Sequence, residues 1–379
     1  MSEQSLKPGW KMVKFGEVVK NANLVERDPG ANDIERIVGL EHIDPENLHI
    51  RRWNSVADGT SFTRKFVPGQ TLFGKRRAYQ RKVAYAEFEG ICSGDILTFE
   101  PKNRKVLLPE LLPFICQSNA FFDHALDTSA GSLSPRTSWT ALKDFEFPLP
   151  PIDEQKRIAE ILWAADEAVE CWLTTVNNLN FLDALLSSAL LETNNNSSKK
   201  LGDYIQLISG QHITAKDYTT EPPGVPYITG PADFPEGQII VSKFTLKPKV
   251  QCQTGDILVT CKGSGTGKSI QADQEYCISR QLMAVRPTRM SPMLLKKILS
   301  AFGEQLNKEA KGLIPGISRT DILDKPVNIP SGQSLSLIEE KFIGLENALD
   351  DASKHYNRLK QLRDALLNQG AAVGGQAHV

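Results

Sequence analysis

The chain has little cysteine, and none of it is paired in sequence. Six cysteines (Cys92, Cys116, Cys171, Cys252, Cys261, Cys277) are spread over 379 residues without a Cys-x-x-Cys spacing. That excludes zinc-finger scaffolds. The polar start Met1-Ser2-Glu3-Gln4 has no apolar signal core, so the thiols are expected to be reduced and the protein cytoplasmic. No apolar run approaches the ~18 residues of a membrane span, so no membrane partner is expected. Histidine is scarce too. His42, His49, His124, His212, His355 and His378 stand apart, none at metal-ligand or nucleophile spacing from another. What is present is ordinary: 40% apolar and 23% charged residues, a globular rather than disordered composition. The length predicts two or three domains.

Net charge is nearly absent as well, at −1, but this average conceals segregation. Residues 51–82 carry nine basic side chains (Arg51, Arg52, Arg64, Lys65, Lys75, Arg76, Arg77, Arg81, Lys82) against one acid, Asp58. Residues 243–286 carry seven basic groups against three acids, whereas 153–192 carry eight acids and two bases. Such blocks predict basic faces held apart by an acidic structural element.

The chain repeats itself. Phe15-Gly16-Glu17 recurs as Leu201-Gly202-Asp203, and at the same offset of 186 Gly69 meets Gly255, Leu72 meets Leu258, Ser93 meets Ser279 and Pro101 meets Pro287. Later the offset is 180, where Thr140 meets Thr320, Leu142 meets Ile322 and Pro150 meets Pro330. The second copy has therefore lost about six residues, as a surface loop tolerates. Each copy opens with short strand-like segments punctuated by Gly and Pro, such as Gln70–Phe73, Gly94–Phe99 and Gly255–Thr260.

A long helix is predicted after each. The first follows Pro148-Leu149-Pro150-Pro151, with Asp153 and Glu154 favoured at its positive end and no Gly or Pro from Ile152 to Asn196. The second is expected from near Ser331-Gly332 to Asn368. Both carry apolar residues in alternating steps of four and three, from Ile158 to Leu190 and from Ile338 to Leu366, the seam of a coiled coil. The seams break at Asp183 and Arg363. An antiparallel pairing is expected to bring Asp183 to Lys341 and Arg363 to Glu160.

Several motifs mimic catalytic ones. Lys262-Gly263-Ser264-Gly265-Thr266-Gly267-Lys268-Ser269 ends like a nucleotide-binding P-loop, but Lys262 stands where that loop needs its first glycine, so the amide nest would be one residue short. A nucleotide-binding enzyme using residues 263–269 stays as an alternative, as does a repeat scaffold without DNA. Asp144 with Glu154-Gln155-Lys156 imitates a metal nuclease, and reads better as the charged start of a helix. Glu221-Pro222-Pro223-Gly224 lacks the aromatic that an amino-methyltransferase loop stacks on its base. The remaining signal is Phe73–Lys82, basic and interleaved with Tyr79 and Gln80, where arginine reaches guanine edges or phosphates and Gln80 can read adenine. Its repeat partner, Lys262–Ser269, is basic too. The DNA-contact candidates are therefore Arg51, Arg52, Arg64, Lys65, Lys75, Arg76, Arg77, Tyr79, Gln80, Arg81, Lys82, Lys262, Ser264, Lys268 and Ser269.

The run Phe145-Glu146-Phe147-Pro148-Leu149-Pro150-Pro151-Ile152-Asp153-Glu154-Gln155-Lys156-Arg157-Ile158, closing a globular unit and entering a long helix, resembles the specificity (S) subunit of type I restriction–modification systems. Gly39-Leu40-Glu41-His42-Ile43 and Ser129-Ala130-Gly131-Ser132-Leu133-Ser134 look like segments of that family's target recognition domains. The second copy departs from it, with Ile329-Pro330-Ser331-Gly332-Gln333 in place of the Pro-Pro…Glu-Gln run. The resemblance implies an α+β fold: two target recognition domains separated by two long helices in an antiparallel coiled coil, with an internal pseudo-two-fold repeat. The expected boundaries are 1–150 and 194–332 for the recognition domains, 151–193 and 333–369 for the spacer helices, and 370–379 for a flexible tail. It further implies a non-catalytic chain that reads double-stranded DNA with a split target. Two methyltransferase (M) subunits would dock on the spacer, through Pro151, Glu154, Gln155 and Arg157, and restriction (R) subunits would join outside. S-adenosylmethionine, ATP and Mg would belong to those partners, with no cofactor in this chain. A helix of ~40 residues spans ~60 Å, enough to serve as a ruler between half-sites.

Overall fold

The computed structural model describes residues 6–131, 133–191, 199–263, 265–309 and 316–371. The chain forms two compact units, Met1–Trp172 with His355–Val379, and Leu173–Lys354. The two long helices, Ile152–Ala189 and Gln333–Ala371, each contribute one part to each unit.

In the first unit, Val19–Asn21, Ile96–Pro101, Thr71–Gly74 and Val83–Tyr85 form a four-stranded antiparallel sheet in that order. A five-stranded sheet runs Leu24–Val25, Arg64–Phe66, Gly90–Cys92, Arg36–Val38, Asn54–Ser55, with its one parallel contact between Arg36–Val38 and Gly90–Cys92. Lys11–Lys14 pairs with Glu146–Leu149, closing the unit just ahead of the helix. The helix Asn119–Asp127 starts where the Ser118 hydroxyl accepts from the Phe121 amide at 3.3 Å, a serine cap on an otherwise unpaired donor. Its Phe121 and Phe122 enter a core of Phe15, Phe73, Phe99 and Phe145, which also takes Ala159 and Leu162 of the first long helix and Leu367 of the second.

The second unit repeats this plan. Its sheet Ile205–Ser209, Leu282–Pro287, Ile257–Thr260, Ser269–Gln271 has the order of the first, each strand lying 186 positions on. A smaller sheet again holds a parallel pair, Val225–Ile228 with Cys277–Ile278. Leu112–Gln117 and Pro292–Glu309 begin 180 apart, so the missing residues lie between Pro101 and Leu112, a stretch the second unit shortens to 288–291.

Within the first unit the two long helices run antiparallel. Trp172 stacks on His355 with ring centroids 4.8 Å apart, and the Arg363 guanidinium meets Asp166 at 3.0 Å. The expected charge pairs are corrected here. Arg363 binds Asp166 rather than Glu160, because Asp166 is buried beside it whereas Glu160 faces solvent. Asp183 binds Lys297 at 2.7 Å, a lysine of the globular part of the second unit, rather than Lys341. Lys297 also reaches Glu346 of the second long helix at 3.2 Å. Of the apolar seam positions, Leu162, Val169, Phe342, Leu345 and Ala352 are buried.

Candidate nucleic-acid interface

The strands Thr71–Gly74 and Val83–Tyr85 are joined by the basic loop 75–82, and the strands Ile257–Thr260 and Ser269–Gln271 by its repeat partner 261–268. Both are hairpin tips. The second is therefore not a P-loop: Ser269 opens a strand instead of a helix, and the Gly267 amide is spent on the Thr260 carbonyl at 2.9 Å. Gly267, at φ +88, packs on Gly303, where an added Cβ would come within 3.0 Å of the Gly303 backbone. Lys262 and Lys268 are exposed, Ser269 is half-buried with its hydroxyl 3.4 Å from that of Ser300, and Ser264 lies outside the described residues.

In the first unit the basic run splits by environment. Arg77 and Tyr79 are exposed at the tip, with Gln80 half-buried beside them. Arg77 and Arg81 both have left-handed backbone, φ 55 and 52, so neighbouring side chains leave in different directions. Arg81 turns inward: it donates to the Gln117 carbonyl at 2.9 Å, pairs with Glu46 at 3.3 Å and lies over the Phe122 ring. Lys82 donates to the Leu40 carbonyl at 2.6 Å. Part of the donor set of each is thus engaged inside the unit, and both side chains are half-buried. Arg51 is likewise held toward the first long helix by Glu87 and Glu170, at 3.7 and 3.5 Å. Arg52 pairs with Asp44 and Lys65 with Glu89.

The other basic residues converge on Asp95. Arg76 approaches it at 3.5 Å and Arg136 at 3.4 Å, while Arg64 donates to the carbonyls on either side, of Gly94 and Ile96. The Lys75 amide binds the Asp95 carbonyl at 2.9 Å. Burial, with Arg64 and Arg136 alongside, holds the Lys75 ammonium below the usual lysine range against the pull of Asp95. Arg76 and Arg136 thus share one carboxylate, with Arg64 and Lys75 beside it, and among the described residues no other acid lies within ion-pair distance of these cations. Arg136 was missed in the basic run because it comes from the segment after Ser129–Ser134. Backbone bridges pair it with Ala130 and with Arg76, and the Arg76 side chain donates to the Ser134 hydroxyl at 2.7 Å. Ser132 lies outside the described residues.

The residues expected to dock partners behave differently. Gln155 is buried, donating to the carbonyls of Val106 and Pro150, both at 2.8 Å, and accepting from the Leu108 amide at 3.0 Å. It is corrected from a partner contact to an internal clamp. Glu154 accepts from the Trp10 indole at 2.8 Å. Pro151 and Arg157 are exposed.

Residues 9–175 match the family model for the type I restriction modification DNA specificity domain. The type I restriction enzyme EcoDI specificity subunit of Escherichia coli is 28% identical over 191 residues, 46% of this chain and 40% of that one. The type I restriction enzyme MjaX specificity subunit of Methanocaldococcus jannaschii, itself a provisional assignment, is 22% identical over 253 residues, covering 60% of this chain and 59% of that one. The matches thus span about half the length of these relatives. Among solved structures, a chain from work on complex assembly and conformational transition of the type I R-M system superposes with a TM-score of 0.63 at 22% identity, covering 98% of this chain and 100% of that one. The type I restriction–modification S subunit from M. genitalium gives 0.57 at 15% identity, covering 99% and 98%. The fold is therefore that of these structures, two α+β units with long helices. What the comparisons place in this chain is a type I restriction modification DNA specificity domain over residues 9–175. No helix among the described residues is long and apolar enough to cross a membrane.

Proposed function

We propose that this chain reads a split double-stranded DNA target without catalysing a reaction itself. Each unit presents its hairpin tip, 75–82 or 261–268, to one half-site. The observation that carries this reading is the recurrence of that hairpin between equivalent strands, basic in both copies although the loop sequences differ. Arg77, Tyr79 and the Asp95 cluster serve the first half-site, and Lys262 and Lys268 the second. Exposed apolar side chains on the long helices, Ile161 and Leu362 in one unit and Phe181, Leu185 and Ile343 in the other, suit the docking of two methyltransferase subunits, with restriction subunits added outside. S-adenosylmethionine, ATP and Mg act in those partners.

Mapping methylated adenines in a host that expresses the methyltransferase partner, with and without this chain, tests the reading. A split motif appearing only with the chain is the expected result. A soluble complex that adds no motif, in a host whose partner subunits methylate with another specificity chain, overturns it.

A further inference from the structure

Asp95 and the arginines beside it deepen the DNA reading just proposed and rest on it. The contacts to Asp95 are loose. Arg76 and Arg136 stand 3.4–3.5 Å from its oxygens, outside the ~2.7–2.9 Å of a settled charge-assisted bond. The second unit shows what a settled pair looks like: Arg286 grips Asp256 through Nε and Nη2 at 2.8 and 2.9 Å, with the Asp256 side chain 2% exposed. Asp95 is 21% exposed, and Arg76 and Arg136 are 40% and 54% exposed, so the cluster stays open to solvent. Arg136 meets the carboxylate with two nitrogens, Nε toward Oδ1 and Nη2 toward Oδ2, the fork by which arginine also holds a phosphate. Two arginines on one carboxylate, with the Arg64 guanidinium on the carbonyls flanking it, leave the cluster net positive, and Gln281, the repeat partner of Asp95, brings no acid to the second unit.

We propose that Asp95 stands in for a DNA phosphate in the free chain, keeping Arg76 and Arg136 assembled, and that binding exchanges this carboxylate for a phosphodiester. A phosphate must then displace a resident anion, which lowers affinity for any duplex that does not seat its backbone well. Asp95 is in this sense a positioning residue that restrains non-specific binding.

The test needs no knowledge of the target sequence. The full-length chain is titrated by fluorescence anisotropy against a labelled 40-base-pair mixed-sequence duplex over a KCl series. One unit charge at this range in water is worth about a 5-fold change. Asp95→Asn is expected to bind the duplex about 3- to 10-fold more tightly. Arg136→Ala is expected to weaken binding and to reduce the slope of log K against log salt by about one. In the Arg136→Ala background the gain from Asp95→Asn is expected to shrink, because the carboxylate acts through that guanidinium. Asp153→Asn, an exposed acid at the start of the first long helix, is expected to change nothing. Asp95→Ser replaces Asp95→Asn if the latter melts early. No gain from Asp95→Asn, or an equal gain from Asp153→Asn, overturns this inference while the wild-type binding leaves the DNA reading intact. A wild-type chain that binds no duplex even at low salt overturns both.

Discussion

Gln155 and Leu108 are joined across the junction between the first recognition unit and its long helix: the Leu108 amide donates to Gln155 Oε1 at 3.0 Å. The same side chain donates to Val106 and Pro150. Residues 102–111 are the stretch that the second repeat shortens, and the position 180 beyond Gln155 is Leu335. Clamp and insertion therefore occur together in one copy and are absent together from the other. Gln155 thus anchors this loop on the helix start. Gln155→Ala leaves two carbonyls and one amide without this partner, and is expected to cost about 1–3 kcal/mol. Urea unfolding of the full chain measures it, and the equivalent change Leu335→Ala should instead show the loss of an apolar contact.

Asp166 and Arg363 hold the helices together in the first unit. Their side chains are 2% and 6% exposed, and Arg363 also reaches Asp364. Removing one partner leaves a buried charge, so Asp166→Ala is expected to destabilise by about 3–5 kcal/mol. Replacing both with leucine should restore most of that, since the desolvation of both charges disappears. Chemical denaturation of the two variants separates these outcomes, and a double variant no better than Asp166→Ala would show that the pair supplies net attraction.

His49 lies between Glu87, 2.7 Å from its Nδ1, and Asp166, 3.1 Å from its Nε2. Asp166 first, then Glu87, raises the imidazole pKa above its usual value, against the opposing effect of burial. Arg363 and Arg51 face the same carboxylates and compete for them. A group whose folded pKa is raised contributes stability that is complete below its unfolded pKa of about 6.5 and is lost as pH climbs through the raised value. The midpoint of thermal unfolding is thus expected to fall as pH rises from about 6.5 through that window. In His49→Gln this part of the profile should flatten, and an unchanged profile would remove His49 as its cause.

The repeat was legible in the sequence because the strands keep a constant spacing, so even a few Gly, Pro and Leu matches aligned whole sheets. The basic hairpin tips followed from it. The helix register did not, because an apolar seam does not say which acid an arginine will choose. Lys297, outside both helices, claims Asp183. Nor did the directions of Arg77 and Arg81, which depend on left-handed backbone at two non-glycine residues. Arg136 joined the site only through a backbone bridge to Arg76, a long-range pairing that local charge counting does not reveal.

The cysteines offer a reading of the fold that is independent of DNA. Cys92, Cys116, Cys252, Cys261 and Cys277 are buried, and Cys171, on the first long helix, is exposed. Burial pushes the Cys92 and Cys261 thiols up to about 12 and Cys252 to about 11, so their reactive thiolates are scarce at neutral pH even where a reagent gains entry. A maleimide at pH 7 is therefore expected to modify Cys171 within minutes and the others only as the chain unfolds. Intact-mass spectrometry should show a single adduct on the native chain, none on Cys171→Ser, and up to six in denaturant. Rapid native labelling at Cys92 or Cys261 would mean that the four-stranded and five-stranded sheets open far more readily than their packing allows.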